Sequence, residues 1–225
     1  MLSKTRRPVI KIGSAVLAGA APAAGKSGPR LDRARFGALC DDVAALCTSK
    51  RGHKLSPTVV SSGAVALGVE RLGLPGKPKE MALKQAAAAV GQSRLMRLWD
   101  DHFDERGVTC AQVLLTHADI AHRGRYLNAR RALGELLERD VVPVINENDT
   151  VSVEEIKFGD NDALAAMVVD LVEADLLVIM TDAGGVYTAD PRKHPDATRL
   201  SVIEKVTASV EALAQEGGSG MGTGG

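Results

Sequence analysis

The stretch Val9-Ile10-Lys11-Ile12-Gly13-Ser14 decides how the chain is to be read. A short aliphatic run holding one lysine and closed by a glycine turn has the length of a buried strand, whereas a helix needs ten residues or more. Comparable runs recur at Pro57 to Ser61, Val108 to Leu114, Val141 to Ile145 and Leu176 to Met180, each closed by polar or glycine residues. Helical patterns separate them. They cover Asp32, a plausible N-cap, to about Lys50, Pro78 to Val90, Gln92 to Glu105, Arg123 to Glu138 and Asp160 to Val172, with a last one over Thr207 to Glu216. Strand and helix alternating in this way imply parallel strands, right-handed crossovers and helices on both faces, so the fold class is α/β. A small-residue loop, Ala20 to Gly28, and a glycine-rich segment, Gly217 to Gly225, fall outside the pattern, and no linker splits the chain.

Composition agrees. The 225 residues are 45% hydrophobic and 25% charged, enough to bury a core without disulfide staples. Only 3% are aromatic, so the core is expected to be aliphatic, as buried parallel strands under Ala-rich helices require. The 28 basic and 28 acidic residues cancel, which removes the positive field that nucleic-acid binding needs. Cys40, Cys47 and Cys110 lie in apolar stretches without metal-ligand spacing and read as small buried hydrophobes in a reducing compartment. Lys4, Arg6 and Arg7 ahead of a stretch running to Ala24 mimic a secretion signal, but Lys11, Gly13, Ser14, Gly19 and Pro22 interrupt its apolar part. The expected location is cytoplasmic, and no run is long enough to span a membrane.

In a parallel sheet of this kind ligands bind beyond the carboxyl ends of the strands, so the residues after each strand carry the functional signal. Lys11 ends the first strand. Buried, its ammonium needs an anion, which a phosphoryl group would supply, with Gly13 lending a turn of backbone amides; on an edge strand it would merely be solvated. Ser61-Ser62-Gly63-Ala64 turns a strand into a helix and offers free amides to a carboxylate or phosphate, or is a plain serine N-cap. Asn146-Glu147-Asn148-Asp149 and Gly159-Asp160-Asn161-Asp162 bring together four carboxylates, Glu147, Asp149, Asp160 and Asp162, which repel one another unless a cation such as Lys11 or a ligand ammonium joins them. Thr181-Asp182-Ala183-Gly184-Gly185 after the last strand suits a nucleotide lying over exposed backbone, or a hairpin turn. Neither a Walker A pattern nor G-x-G-x-x-G after the first strand is present.

Lys11-Ile12-Gly13-Ser14, Ser61-Ser62-Gly63-Ala64, Ala89-Val90-Gly91-Gln92-Ser93, Asn146-Glu147-Asn148-Asp149, Phe158-Gly159-Asp160-Asn161-Asp162, Tyr187-Thr188-Ala189-Asp190-Pro191-Arg192 and Gly222-Thr223-Gly224-Gly225 resemble, in order, the motifs of the glutamate 5-kinase branch of the amino acid kinases. The resemblance implies a three-layer αβα sandwich with a mainly parallel open sheet. It implies transfer of a phosphoryl group from ATP, with Mg2+ carried on the phosphates, to the side-chain carboxylate of glutamate in proline synthesis. Lys11 and Asp162 would be catalytic, Lys11 neutralising the phosphoryl group in flight and Asp162 orienting catalytic lysines. Ser62, Gly63, Asn146, Asp149, Asp160 and Asn161 would hold glutamate, Asp149 meeting its ammonium group. Lys11, Gly13, Ser14, Thr181, Asp182, Gly222, Thr223, Gly224 and Gly225 would contact ATP, and no metal would be caged by the protein. Proline is the implied feedback inhibitor and a homo-oligomer the implied assembly. In the family the Gly-Thr-Gly-Gly loop leads into a segment with a second catalytic lysine. Residues 1–225 therefore read as one kinase domain, incomplete at its C-terminus and without the RNA-modification-type domain many members append. Two other readings stand beside this one: an amino acid kinase acting on acetylglutamate, aspartate, carbamate or a nucleoside monophosphate, and a catalytically silent sensor of glutamate or proline.

Overall fold

A computed structural model describes residues 4–17, 31–48, 54–152, 161–181 and 184–215. The chain forms two compact units, residues 1–180 and 181–225. The first unit runs β1 (Pro8–Ile12), α1 (Ser14–Leu17), α2 (Arg33–Thr48), β2 (Thr58–Ser61), α3 (Ala64–Leu72), α4 (Met81–Asp104), β3 (Cys110–Leu115), α5 (His117–Ala121), α6 (Arg123–Glu138), β4 (Val142–Glu147), α7 (Asn161–Leu171) and β5 (Leu176–Met180). Its five strands lie in the order β3-β4-β2-β1-β5, and every pairing is parallel.

Side chains of a strand alternate between faces, and the two cores follow that alternation. Ile10, Ile12, Val59, Val142 and Val144 pack with Phe36, Leu39 and Val43 of α2, Ala64 and Leu67 of α3, and Leu95, Trp99 and Phe103 of α4. Val9, Val60 and Ile145 pack on the other face with Leu133 and Leu137 of α6 and Leu164, Val168 and Leu171 of α7. The result is a helix–sheet–helix sandwich. Its first core departs from the aliphatic expectation: Phe36, Trp99 and Phe103 are wholly buried, with the Phe36 and Trp99 ring centres 4.8 Å apart in an edge-on contact.

Connection direction explains which helix lies where. From β1 to β2 to β3 the chain moves toward one edge and its helices α2, α3 and α4 lie on one face; from β3 to β4 to β5 it moves back, and α6 and α7 lie on the other. Crossovers of one hand require that change of face when direction reverses. The carboxyl ends of β2 and β4, adjacent in the sheet, therefore send their connections to opposite faces, which opens a crevice between them.

Gln92 to Glu105 was expected as a helix separate from Pro78 to Val90, but α4 runs unbroken through Gly91. Glycine stands there for contact. A Cβ on Gly91 would lie 1.7 Å from the Ala64 carbonyl oxygen, and one on Gly68 of α3 would lie 1.7 Å from that of Ala87, so α3 and α4 touch backbone to backbone. Lys11 sits on a strand flanked on both sides, which replaces the solvated-edge alternative. Cys40 and Cys47 are buried and Cys110 is half-buried, all three free; burial pushes their thiols up to about 12, 11 and 12 respectively.

The second unit holds an antiparallel bridge between Tyr187 and Arg199 and the helix α8 (Ala208–Gln215). Within Tyr187-Thr188-Ala189-Asp190-Pro191-Arg192, the Arg192 guanidinium donates to Asp190 from Nε at 3.0 Å, and that hydrogen bonding holds the Asp190 carboxyl below its ordinary value. Among the described residues no helix is long and apolar enough to cross a membrane.

The glycine contacts give a paired expectation. Gly91→Ala should lower unfolding free energy by about 3 kcal/mol or more, since helix backbone rather than a flexible side chain would have to move. Gly134→Ala in α6, where nothing lies within 4 Å of the added methyl, should raise it by about 0.5–1 kcal/mol. Urea denaturation of the two variants checks both signs.

Candidate active site

The crevice between β2 and β4 is built from the ends of its strands. Parallel register sets Val60 beside Ile145, so Ser61 and Asn146 follow at the rim. Ser61 is fully buried, and its Oγ accepts a hydrogen bond from the Trp99 indole nitrogen at 3.1 Å. The next amide, Ser62 N–H, donates to the Ile12 carbonyl at 3.0 Å, carrying the β1–β2 ladder one step beyond the strands. Gly63 then takes φ 114°, a left-handed conformation that glycine adopts readily, and α3 begins. Gly63 is the N-cap of α3 and no side chain caps the helix, so Ser62 is not the plain N-cap serine that the motif allowed. Its hydroxyl instead accepts a hydrogen bond from Asn161 Nδ2 at 2.7 Å.

Asn161 opens α7. Its Nδ2 also donates to Asn146 Oδ1 at 3.0 Å, and Asn146 Nδ2 donates in turn to Gln92 Oε1 of α4 at 2.8 Å. Side chains from two strand ends and two helices are thereby joined.

Lys11 lies on the face of β1 that carries Val9, and Val9 packs with α7. The lysine is 5% exposed, and its Nζ lies 2.5 Å from Asp162 Oδ1 in the first turn of α7. A carboxylate near a helix N-terminus is favoured by the helix dipole and supplies the anion that a buried ammonium requires. Gly13 follows at the end of β1. Its amide is committed to the Met180 carbonyl at 3.2 Å, so it is not among the amides open to a phosphate. What Gly13 contributes is room: a Cβ would stand 3.3 Å from both Lys11 Nζ and the Met180 oxygen. Ser14 begins α1 and is exposed.

Asp149 sits two residues beyond β4 and is half-buried. Burial and the nearby Glu147 charge raise its pKa, while Lys84 and Lys77 pull it down. Glu147 itself accepts from the Ser152 hydroxyl at 2.6 Å. The acidic cluster is thus divided, with Asp162 given to Lys11 and Glu147 and Asp149 left as neighbours. Thr181 directly follows β5 in the chain. Asp160, Asp182, Gly222, Thr223, Gly224 and Gly225 lie outside the described residues.

Sequence reading passed over the roles of Gln92 and Trp99. The signal was available: Ala88, Gln92, Leu95 and Trp99 form one buried stripe of α4 at spacings of four, three and four, and a glutamine in such a stripe needs a polar partner.

The raised Asp149 pKa has a stability consequence. A carboxyl whose folded pKa exceeds its unfolded value binds its proton more tightly in the fold, so its ionisation lowers stability as pH rises from about 3.8 through the raised value. Asp149→Asn should therefore stabilise the ligand-free protein at neutral pH and lose that advantage in acid below the ordinary carboxyl range. Thermal melts of both forms across pH check the sign.

Comparison with known proteins places this geometry. The Amino acid kinase family profile matches residues 6–225. A curated relative named glutamate 5-kinase from Syntrophotalea carbinolica is 50% identical over 225 residues, all of this chain and 57% of its own length. Proteins of the same name are 50% identical in Myxococcus xanthus, over 100% of this chain and 56% of theirs, and 52% identical in Deinococcus radiodurans, over 97% and 57%. The chain thus spans somewhat over half the length of these relatives. Two solved structures described as isopentenyl phosphate kinase share the fold: one at TM-score 0.56 and 20% identity, covering 94% of this chain and 88% of its own, the other, a substrate complex, at 0.53 and 22%, covering 86% and 78%. With parallel sheet, layered helices and profile in agreement, the chain belongs to the amino acid kinase family.

Proposed function

We propose that the protein transfers the γ-phosphoryl group of ATP to the side-chain carboxylate of glutamate, giving glutamyl 5-phosphate, as the first step of proline biosynthesis. One observation carries the choice of reaction: a lysine buried in the central sheet, held by Asp162, at the rim of a crevice lined with hydrogen-bonding side chains. The choice of glutamate is supported by relatives of that name at about half identity along the whole chain.

The chemistry asks little of the protein beyond positioning and charge. The glutamate carboxylate is ionised at neutral pH, so no base has to remove a proton; the bond from the γ-phosphorus to the bridging oxygen breaks as that to a carboxylate oxygen forms, and ADP leaves. Lys11 would neutralise the equatorial oxygens of the moving group, with Asp162 keeping its Nζ in place. Glycine at position 13 keeps a methyl group from crowding Lys11 Nζ, which a Cβ there would approach to 3.3 Å. Among the described residues no three His, Cys, Asp or Glu side chains converge, and a magnesium ion travelling with ATP would be held through phosphate oxygens, where it adds positive charge. Asp149, with Glu147 beside it, forms a negative locus for the glutamate ammonium group, and Ser62, Asn146 and Asn161 supply neutral contacts. Thr181, Asp182 and the Gly222 to Gly225 segment as nucleotide contacts, proline inhibition, a homo-oligomer and a cytoplasmic setting belong to the same proposal and rest on the family resemblance.

In the full-length protein, Lys11→Ala should lower kcat by about 10² or more, the scale of losing one preorganised charge at a developing anion, with smaller changes in KM. Asp149→Ala should raise the glutamate KM strongly and leave that for ATP nearly unchanged. Coupled ADP release with glutamate and with a panel of acetylglutamate, aspartate, carbamate and a nucleoside monophosphate tests the reading. Turnover with one of these and none with glutamate would replace the substrate, and wild-type kcat in Lys11→Ala would remove the lysine's role.

A further inference from the structure

Gln92 reaches the crevice from within α4 and is 9% exposed. Its Oε1 accepts from Asn146, whereas its Nε2 is buried and has no hydrogen-bond partner among the described residues. A stranded amide is unfavourable, and methionine would fill similar space without one. What glutamine adds is the acceptor oxygen, and that oxygen has a consequence two side chains away.

Hydrogen bonds through primary amides have a sense. With Gln92 Oε1 facing Asn146 Nδ2, Asn146 must present Oδ1 to Asn161, and Asn161 must present Nδ2 to Asn146 and to Ser62 Oγ. Ser62 Oγ accepts in that bond, so its own hydrogen is free to be given outward. Asn161 has turned its nitrogen inward, and among the described residues nothing donates to its Oδ1. Running the relay backwards would invert every member: Ser62 would give its hydrogen to Asn161 Oδ1, and Asn161 would turn its N–H groups outward. The Ser61 carbonyl, 3.5 Å from Asn161 Nδ2, opposes that inversion at one end because a backbone oxygen cannot become a donor. At the other end Gln92, whose amide can offer either group, supplies the acceptor that Asn146 Nδ2 then needs.

We infer that Gln92 is a positioning residue that completes the Gln92–Asn146–Asn161–Ser62 relay by accepting from Asn146 in the sense the Ser61 carbonyl sets, so that the crevice offers a hydroxyl donor at Ser62 and a carbonyl acceptor at Asn161. Such a pair reads an amino acid's two charged groups, the hydroxyl giving to a carboxylate and the carbonyl taking from an ammonium. The identity of that amino acid as glutamate rests on the function proposed above.

Steady-state kinetics of the full-length protein, with glutamate and ATP varied separately and melting temperatures recorded alongside, tests the relay. Gln92→Met should raise the glutamate KM about tenfold or more, the factor that one hydrogen bond's net contribution represents, with the ATP KM within about twofold of wild type. Gln92→Glu, whose carboxyl offers an acceptor oxygen in either protonation state, should return the glutamate KM to within about threefold. An unchanged glutamate KM in Gln92→Met overturns the inference, as does a joint rise of both KM values with a lowered melting temperature that Gln92→Glu shares. If Gln92→Met does not fold, Gln92→Glu decides alone: a tenfold rise there, with the acceptor kept, overturns it. A wild-type protein that phosphorylates another amino acid and not glutamate removes the substrate reading, and the same KM comparison is then made on that amino acid.

Discussion

Burying Lys11 is the constraint on which the site depends. An ammonium deep in a five-stranded sheet must find an anion within reach, and only one face of β1 leads to it. Strand alternation turns Lys11 to the side of Val9 and α7, and α7 begins with the sequence Asn161-Asp162. The Asp162 carboxylate satisfies the lysine, and the same first turn sets Asn161 against Ser62 and Asn146. A charge requirement in one strand and a polar network across two others thus share a single helical turn. Moving α7 along its axis by one residue would break both.

That coupling also sorts the acidic residues, which by composition alone look like one repulsive cluster. Asp162 is neutralised within the fold. Glu147 and Asp149 are left close together with their charges only partly offset by Lys77 and Lys84, which is an unfavourable arrangement until a cation arrives. The carboxylates are therefore distinguished by whether the fold pairs them with a buried lysine.

Much of this was legible in the sequence. All five strands were recognisable as short aliphatic runs, the continuous apolar signal of a parallel sheet; Leu176–Met180 was read to the residue although it lies at one edge of the sheet, half-buried to exposed. Lys11, Ser62, Asn146, Asn161 and Asp162 could be picked out as polar residues where strands end and helices begin. Other features needed the third dimension. Gly91 looked like a helix break because the backbone of α3 that it must accommodate lies more than twenty residues earlier in the chain. α1 was missed as a single turn, and α5 although Thr116 and Asp119 form a capping box whose spacing is visible in the sequence. The role of Gln92 was hidden by its surroundings, since an apolar helical stripe draws attention away from the polar residue within it.

The chain has one tryptophan, and the fold places it beside the crevice. Trp99 is wholly shielded from solvent, its indole nitrogen bonded to the Ser61 hydroxyl, which in turn donates to the Ser62 carbonyl at 3.2 Å. Any displacement of the serine turn alters the polarity around that ring, while water-borne quenchers cannot reach it. The protein therefore carries its own optical reporter. A spectral change on ligand addition would originate at a single known position, without an attached dye.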